Sequence, residues 1–537
     1  MDKKKLTIIA VVIVIIIIAL GIGLSMNTTK DTNPQHIVIA DSNNHGEPDN
    51  GFDALTGWGS GHSNHNTLIY STLFKTDENG TIINDLATNY TISSDGLIWT
   101  VNIREDVKFS NNKTLDAEDV AFSFNTAKNS SAELDLTNLN YAKAIDNNTI
   151  EFHLNESRST FIYDLRYLGI VSAEDYNNET YGSNPIGSGP YILKEWDRGQ
   201  QAIFTINENY YGEKPYFTQI TLLFPDEASS LELVKSGEVD LISAPFNGLN
   251  ETVEGYDKVN LSAGRAQGIS LPYLPNNGTT SDDGDAIGNN VTSDINIRKA
   301  LNIGINRSEI VDSVYSGYGH VEYSGVDSRD YGNPEAAVED GDIEGAKNIL
   351  EEAGWKDTDG DGIREKNGTK ASFELYYPSE NIDRQSVSLL FSEQAKELGI
   401  EIELVGTDWD TIYTKMYSQA VFWQQSSQNP YTMIYQQYHS KTADDSYMNP
   451  NLYNNSEVDS ILHEAVTTTD SANANSLWSK AAYTGDGGFG PAGDAPWVWI
   501  STFDYVYFVS EDINITNERP DNFGNDLLIN IEKWSRN

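Results

Sequence analysis

The chain has 537 residues, a formal net charge of −45 and no cysteine. That length implies two or three lobes with separate cores, and 38% hydrophobic content with 11% aromatics excludes global disorder. The acidity excludes nucleic acid and an anionic membrane surface as partners of the folded body, and the missing cysteines exclude disulfides, thiolate metal sites and cysteine nucleophiles.

Lys3, Lys4 and Lys5 precede an almost unbroken apolar stretch from Leu6 to Leu24. Its roughly 19 residues, at about 1.5 Å each, come close to the thickness of a bilayer core. No small-residue cleavage site follows in SMNTTKDT. The stretch therefore predicts an uncleaved single-pass anchor, lysines inside and everything after about Asn27 outside, with a cleaved signal peptide as the alternative. N-x-S/T sequons, including those at Asn79, Asn129, Asn178, Asn277 and Asn454, fit an exposed and glycosylated surface. Zero cysteines also leave no site for a lipid tether.

His36–Ala40 is apolar enough for a first strand. Trp99, Val101 and Ile103 alternate with polar residues as a half-buried strand, and Asp116 is placed to cap a helix carrying Val120, Ala121, Phe124 and Ala127. Asn276 to Ser293 reads as a polar surface insertion. Asp342 can cap a helix through Ala346 and Leu350 that Gly354 stops, and Gly399 ends a second helix before Ile400, Ile402 and Leu404 alternate as a strand. This alternation predicts α/β lobes built on mixed sheets.

Leu86 to Asn125, LATNYTISSDGLIWTVNIREDVKFSNNKTLDAEDVAFSFN, resembles the family 5 extracellular solute-binding proteins of ABC importers, which serve oligopeptides, dipeptides and nickel chelates. PIGSGPY at Pro185 to Tyr191, SGEVDLI at Ser236 to Ile242, INIRKALNIGINRSEIVDSVYSGYG from Ile295 and FWQQSSQNPYTMIYQQYHS from Phe422 are similar to later landmarks in family order. The resemblance implies a two-lobed periplasmic-binding-protein-like fold of type II, with a hinge and an inserted subdomain. Mapped onto this chain, it places a membrane anchor or signal and linker at 1–35, lobe I at about 36–45, 180–270 and 490–537, the insertion at 46–179, and lobe II at 271–489. It implies no catalysis, and as partners an ABC permease with its ATPase and a small-molecule or peptide ligand.

The candidate ligand-binding residues are Trp58, Trp423, Ser426, His439 and Arg158. Trp58 lies in a Gly/Asn-rich run that resembles a cleft-facing loop, where an aromatic ring can stack on varied ligands. His45, His62 and His65 in the same run suggest metal binding or solvated loop positions. In peptide-binding relatives an aspartate three residues after the tryptophan of the FWQQ segment captures the ligand ammonium. Here that position is Ser426, which departs from the pattern. Nickel-binding relatives carry a tryptophan matching Trp423 and a histidine near His439, so a nickel chelate is the alternative ligand. Arg158 and Arg166 are equipped either to grip a carboxylate or to serve internal salt bridges.

Asp357, Asp359 and Asp361 offer oxygens at alternate positions of DTDGDGIRE, Gly362 allows a tight turn, the Ile363 carbonyl is available, and Glu365 lies near. This pattern suggests a structural calcium site, although Gly368 stands where a full EF-hand loop ends in glutamate. Asp408 and Asp410, read as alternating positions at a strand end, would support a rival of another class, an anchored extracellular hydrolase. A surface adhesin is a further rival, but the chain shows no repeats. GDGGFG at Gly485 to Gly490 has neither a preceding strand nor a following helix, so it reads as a loop and not a dinucleotide site.

Overall fold

A computed structural model describes residues 33–40, 47–48, 51–56, 66–130, 134–261, 265–442, 448–516 and 527–537. The apolar stretch Leu6–Leu24, Trp58, His45, His62 and His65 all lie outside the described residues. Among the described residues no helix is long and apolar enough to cross a membrane.

Two large sheets organise the chain. The first has seven strands, with His36–Ala40 central and parallel to Gln219–Leu223 and Leu241–Ser243. Ile37 and Ile39 are buried on one side with the inserted subdomain, whereas Ile242 and Phe508 face Val234 and Val239 on the other. Burial on both faces explains why these strands read as apolar runs and do not alternate. The second sheet has six strands, in which Ser372–Pro378 runs parallel to Glu401–Thr407 and Ala420–Ser426. Its faces carry separate cores. Ile269, Leu375 and Phe422 pack with the helices Ile295–Gly304, Arg307–Tyr315 and Ile382–Glu397, while Ala266, Val421, Trp423 and Trp499 face the chain from Met433 to Trp478.

The local signals behave as their chemistry predicts. Ile98–Ile103 alternates between half-buried and buried positions in a four-stranded sheet, and the helix Ala117–Ser130 follows it. The Asp342 carboxylate accepts the Gly345 N–H at the start of Ile343–Glu352. Gly354 and Gly399 end their helices at φ of 87° and 83°, the left-handed conformation that glycine adopts without a Cβ clash. Arg307 is fully buried. Its guanidinium donates to the Trp499 carbonyl at 2.6 Å and to Asn302, and pairs with Asp340 at 3.1 Å, which ties its helix to the second sheet.

Two readings change. Arg265–Ser270 and Trp497–Phe503 both pair in the second sheet, so the chain changes sheets between Leu261 and Arg265 and at Asp504, where the resemblance implied about 270 and 490. Phe503 and Tyr505 both belong to apolar strands, so the second change leaves no mark in the apolar pattern. Asp408 and Asp410 are not alternating strand positions either. Asp408 caps the short helix Trp409–Tyr413 by accepting the Thr411 N–H, and that bond holds its carboxyl below the usual range.

Candidate functional site: the cleft between two sheets

In both sheets the parallel strands point their carboxyl ends toward the crossings, and open α/β sheets bind ligands outside those ends. In the second lobe three segments emerge there. The helix Ile382–Glu397 follows the strand ending at Pro378, Trp409–Tyr413 follows the one ending at Thr407, and the helical turns from Tyr431 follow the one ending at Ser426. Asp504 sits at the crossing itself. Its buried carboxylate accepts from Asn260 at 2.9 Å and meets His320 Nε2 at 3.2 Å, while its N–H donates to the Tyr318 carbonyl.

Trp423 is buried, with its ring edge-on to Trp409 at 5.6 Å and to Tyr413 at 6.1 Å. Ser426 is buried at the end of the same strand, directly opposite Arg265. Trp423 and Ser426 therefore share the strand Ala420–Ser426, whose carboxyl end faces the change of sheet at Arg265.

Arg158 and His439 come together in an unexpected way. The Arg158 guanidinium covers the Tyr431 ring at 3.9 Å, Tyr431 stacks on Tyr435 at 4.9 Å, and Tyr435 lies against His439 at 4.5 Å. The rings recur every four residues along helical turns, so they share one face. Arg158 is buried and also pairs with Asp164 at 3.4 Å. Burial raises Asp164 to about 7, and the Arg158 charge opposes that rise. Arg158 is thus a strut between the inserted subdomain and the second lobe, with Arg166 occupied separately by Thr76. Burial also pushes His439 down, so the neutral ring dominates at pH 7. Its Nδ1 lies 3.0 Å from the Lys441 N and 3.7 Å from the Asp459 carboxylate.

Beside this strut, the loop at 157–159 closes the end of the helix Ser456–Thr467 across the cleft. The Ser159 N–H donates to the Val466 carbonyl at 2.6 Å, Ser159 Oγ to Ala465 at 2.8 Å and Ser157 Oγ to Thr467 at 2.8 Å. These are carbonyls that a helix terminus leaves without internal partners.

Sequence reasoning passed over Arg265 and Arg384. Both guanidiniums are buried at the cleft end of the second sheet. Arg384 occupies the first turn of Ile382–Glu397, where the helix dipole disfavours a cation, and that misplacement was the available signal.

In the Asp-rich loop, Asp357, Asp359, Asp361 and Glu365 bring one oxygen each to within 4.8 Å of one another. Gly360 and Gly362 turn at φ of 84° and 89°. Ile363 is buried, and its N–H donates to Asp361. Glu365 Oε1 is buried without a hydrogen-bond partner, and the Lys370 ammonium sits on Asp361. This donor set of hard oxygens fits a cation such as calcium.

The sequence profile of the bacterial extracellular solute-binding proteins, family 5, matches residues 81–460. The chain belongs to that family. It is 28% identical to the oligopeptide-binding protein AppA of Bacillus subtilis over 75% of this chain and 76% of that one. It is also 28% identical to the nickel-binding periplasmic protein of Escherichia coli, over 65% and 68%. The crystal structure of NikZ from Campylobacter jejuni in complex with Ni(L-His) superposes with a TM-score of 0.74 at 20% identity, covering 94% of this chain and all of the other. The fold is accordingly the two-lobed one of periplasmic binding proteins.

The contacts at 157–159 are expected to favour the arrangement of the lobes seen here over a more open one. Replacing Ser157 and Ser159 by alanine removes two side-chain bonds, and at roughly 1 kcal/mol each the closed form loses about fivefold per bond. Small-angle scattering of the ligand-free double variant is expected to give a larger radius of gyration than the wild type. An unchanged profile would mean that this loop does not hold the lobes together.

Proposed function

We propose that this chain is the anchored extracellular receptor of an ABC importer, closing its two lobes on a peptide or similar small polar solute and presenting the closed form to the permease. The family match carries the reading, and the double change of sheet, between Leu261 and Arg265 and at Asp504, supports it, because it connects two sheets without fusing them. Ligand contacts to both lobes favour the closed form by their differential affinity for it. No catalytic step is needed. Asp408 is exposed, and its carboxylate caps a helix. A nickel chelate is the second reading, favoured by the nickel-binding relative. Isothermal titration with a short-peptide library and with nickel plus histidine separates the two, and we expect heat from peptides. Binding of nickel–histidine alone would reverse the ranking, and turnover of any peptide would overturn the receptor reading.

The loop from Asp357 to Glu365 is proposed to hold a structural calcium through those two residues, Asp359, Asp361 and the Ile363 carbonyl, with Lys370 displaced from Asp361. Saturating calcium is expected to raise the thermal midpoint by about 2 °C or more, since binding to the folded state alone stabilises it. Asp359→Asn should abolish the shift, and a wild type indifferent to calcium would remove the proposal.

The Leu6–Leu24 stretch is proposed to remain as an anchor with the folded body outside the cell. Mass spectrometry of the mature protein is expected to recover its N-terminal residues in the membrane fraction. A mature terminus beginning after Leu24 would show cleavage instead.

A further inference from the structure

Where the inserted subdomain meets the second lobe, at Arg158 and Tyr431, a buried acid lies directly behind the contact. Arg158 is fixed from its own side. Its Nε donates to Thr160 Oγ1 at 3.3 Å and its Nη1 to the Asp135 carbonyl at 3.1 Å, which leaves a guanidinium face to the Tyr431 ring at 3.9 Å. Asp164, in the helix Phe161–Tyr167, stands 3.4 Å from Arg158 Nη1. It is 3% exposed, and its Oδ2 is buried with no hydrogen-bond partner. A well-matched arginine and carboxylate share two parallel hydrogen bonds, whereas this pair has one long contact.

Few charges face this acid. Arg158 favours its ionised form, and Asp135, half-buried just ahead of the strand Leu139–Asp146, opposes it. Neither belongs to the second lobe. What the second lobe lays over this corner is a stack of rings. Tyr431 lies within reach of the charges of Arg158, Asp135 and Asp164, and burial pushes its phenol up, so it stays neutral. Tyr435 behind it faces Glu156 and Asp459, and His439 behind that faces Asp459, Lys441 and His463. Closure therefore covers Asp164 with aromatic surface and supplies no charge to match it. Burial is the largest influence on Asp164 and lifts it to about 7, with the Arg158 guanidinium offsetting only part of the rise.

We propose that closing the lobes takes up a proton at Asp164, so that the contact of Arg158 with Tyr431 is a latch strengthened by acid. Parting the lobes lifts the Tyr431 ring off this corner and returns water to Arg158 and Asp164, and a solvated aspartate loses its proton near pH 4. The closed form thus holds the proton more firmly than the open one. By linkage, a carboxyl whose pKa is higher in the closed form favours closure in full below the open-form value, and that support is lost as pH rises through the closed-form value of about 7. One proton gives a slope of at most about tenfold per pH unit between the two. The inference rests on the receptor reading above and adds regulation to it: acid tightens the grip of the lobes, and alkali loosens it.

The chain has no cysteine, so Lys143→Cys in the inserted subdomain and Asn475→Cys in the second lobe, both at exposed positions, place two spin labels where they are wanted. Distances between the labels, measured on the full chain in detergent without ligand, give the ratio of closed to open forms. That ratio is expected to rise at least about fivefold from pH 8.5 to pH 5.5, where one fully coupled proton would give about thirtyfold. Asp164→Asn, neutral at every pH, should stay at the acid level throughout. Arg158→Gln should move the onset of the response to higher pH, because it deletes the charge that opposes protonation. His439→Gln should respond as the wild type does. A wild-type ratio that is constant, or that rises with pH, overturns the latch without recourse to any variant. A response that survives in Asp164→Asn, keeps its onset in Arg158→Gln or disappears in His439→Gln overturns it as well. No ligand enters these measurements, so their failure leaves the receptor reading standing, and a failure to bind peptides or nickel–histidine leaves the latch standing.

Discussion

The pair of crossings between the two sheets is the constraint on which this molecule depends. One lies between Leu261 and Arg265 and the other at Asp504. Around Asp504 the bonds are shared between lobes. Asn260 approaches from the first sheet and His320 from the second, and both meet one buried carboxylate. Every candidate binding residue in the second lobe lies beyond these tethers, and the carboxyl ends of the parallel strands in both sheets converge on them. The cleft is a consequence of that connectivity before any side chain is considered.

Much of the fold was legible because its signals are local. Asp342, Gly354 and Gly399 act within one helical turn, and the alternation through Trp99, Val101 and Ile103 reports one half-buried strand. The lobe boundaries were not legible. Tyr256–Leu261 and Arg265–Ser270 belong to different sheets, yet nothing in their composition marks the change, and Trp497–Phe503 yields to Tyr505–Ser510 after a single residue. Sheet membership is a property of partners far away in sequence. The same limit governed the site. Trp423, Ser426 and His439 were chosen from a segment that resembles the family's and Arg158 for its chemistry, but the partners the structure gives Arg158 and Trp423, Tyr431 for one and Trp409 and Tyr413 for the other, come from elements that no local pattern connects.

The buried arginines show how similar residues take different roles. Arg307 donates to carbonyls from two elements and has Asp340 beside it, so its charge is matched within the lobe. Arg158 has Asp164 and an aromatic face. Arg384 has two aromatic faces and distant carboxylates only. In a chain this acidic, a counter-ion was available to any arginine that needed one.

The brevity of the two links has a mechanical meaning. Four residue steps separate Leu261 from Arg265 and two separate Phe503 from Tyr505, spans of at most about 14 and 7 Å, so the lobes have little room to slide along one another or to separate. What such short connections still permit is bending and twisting about the line joining them. The whole motion then reduces to an angle, and a transporter that senses this angle learns whether the receptor is loaded without touching its cargo.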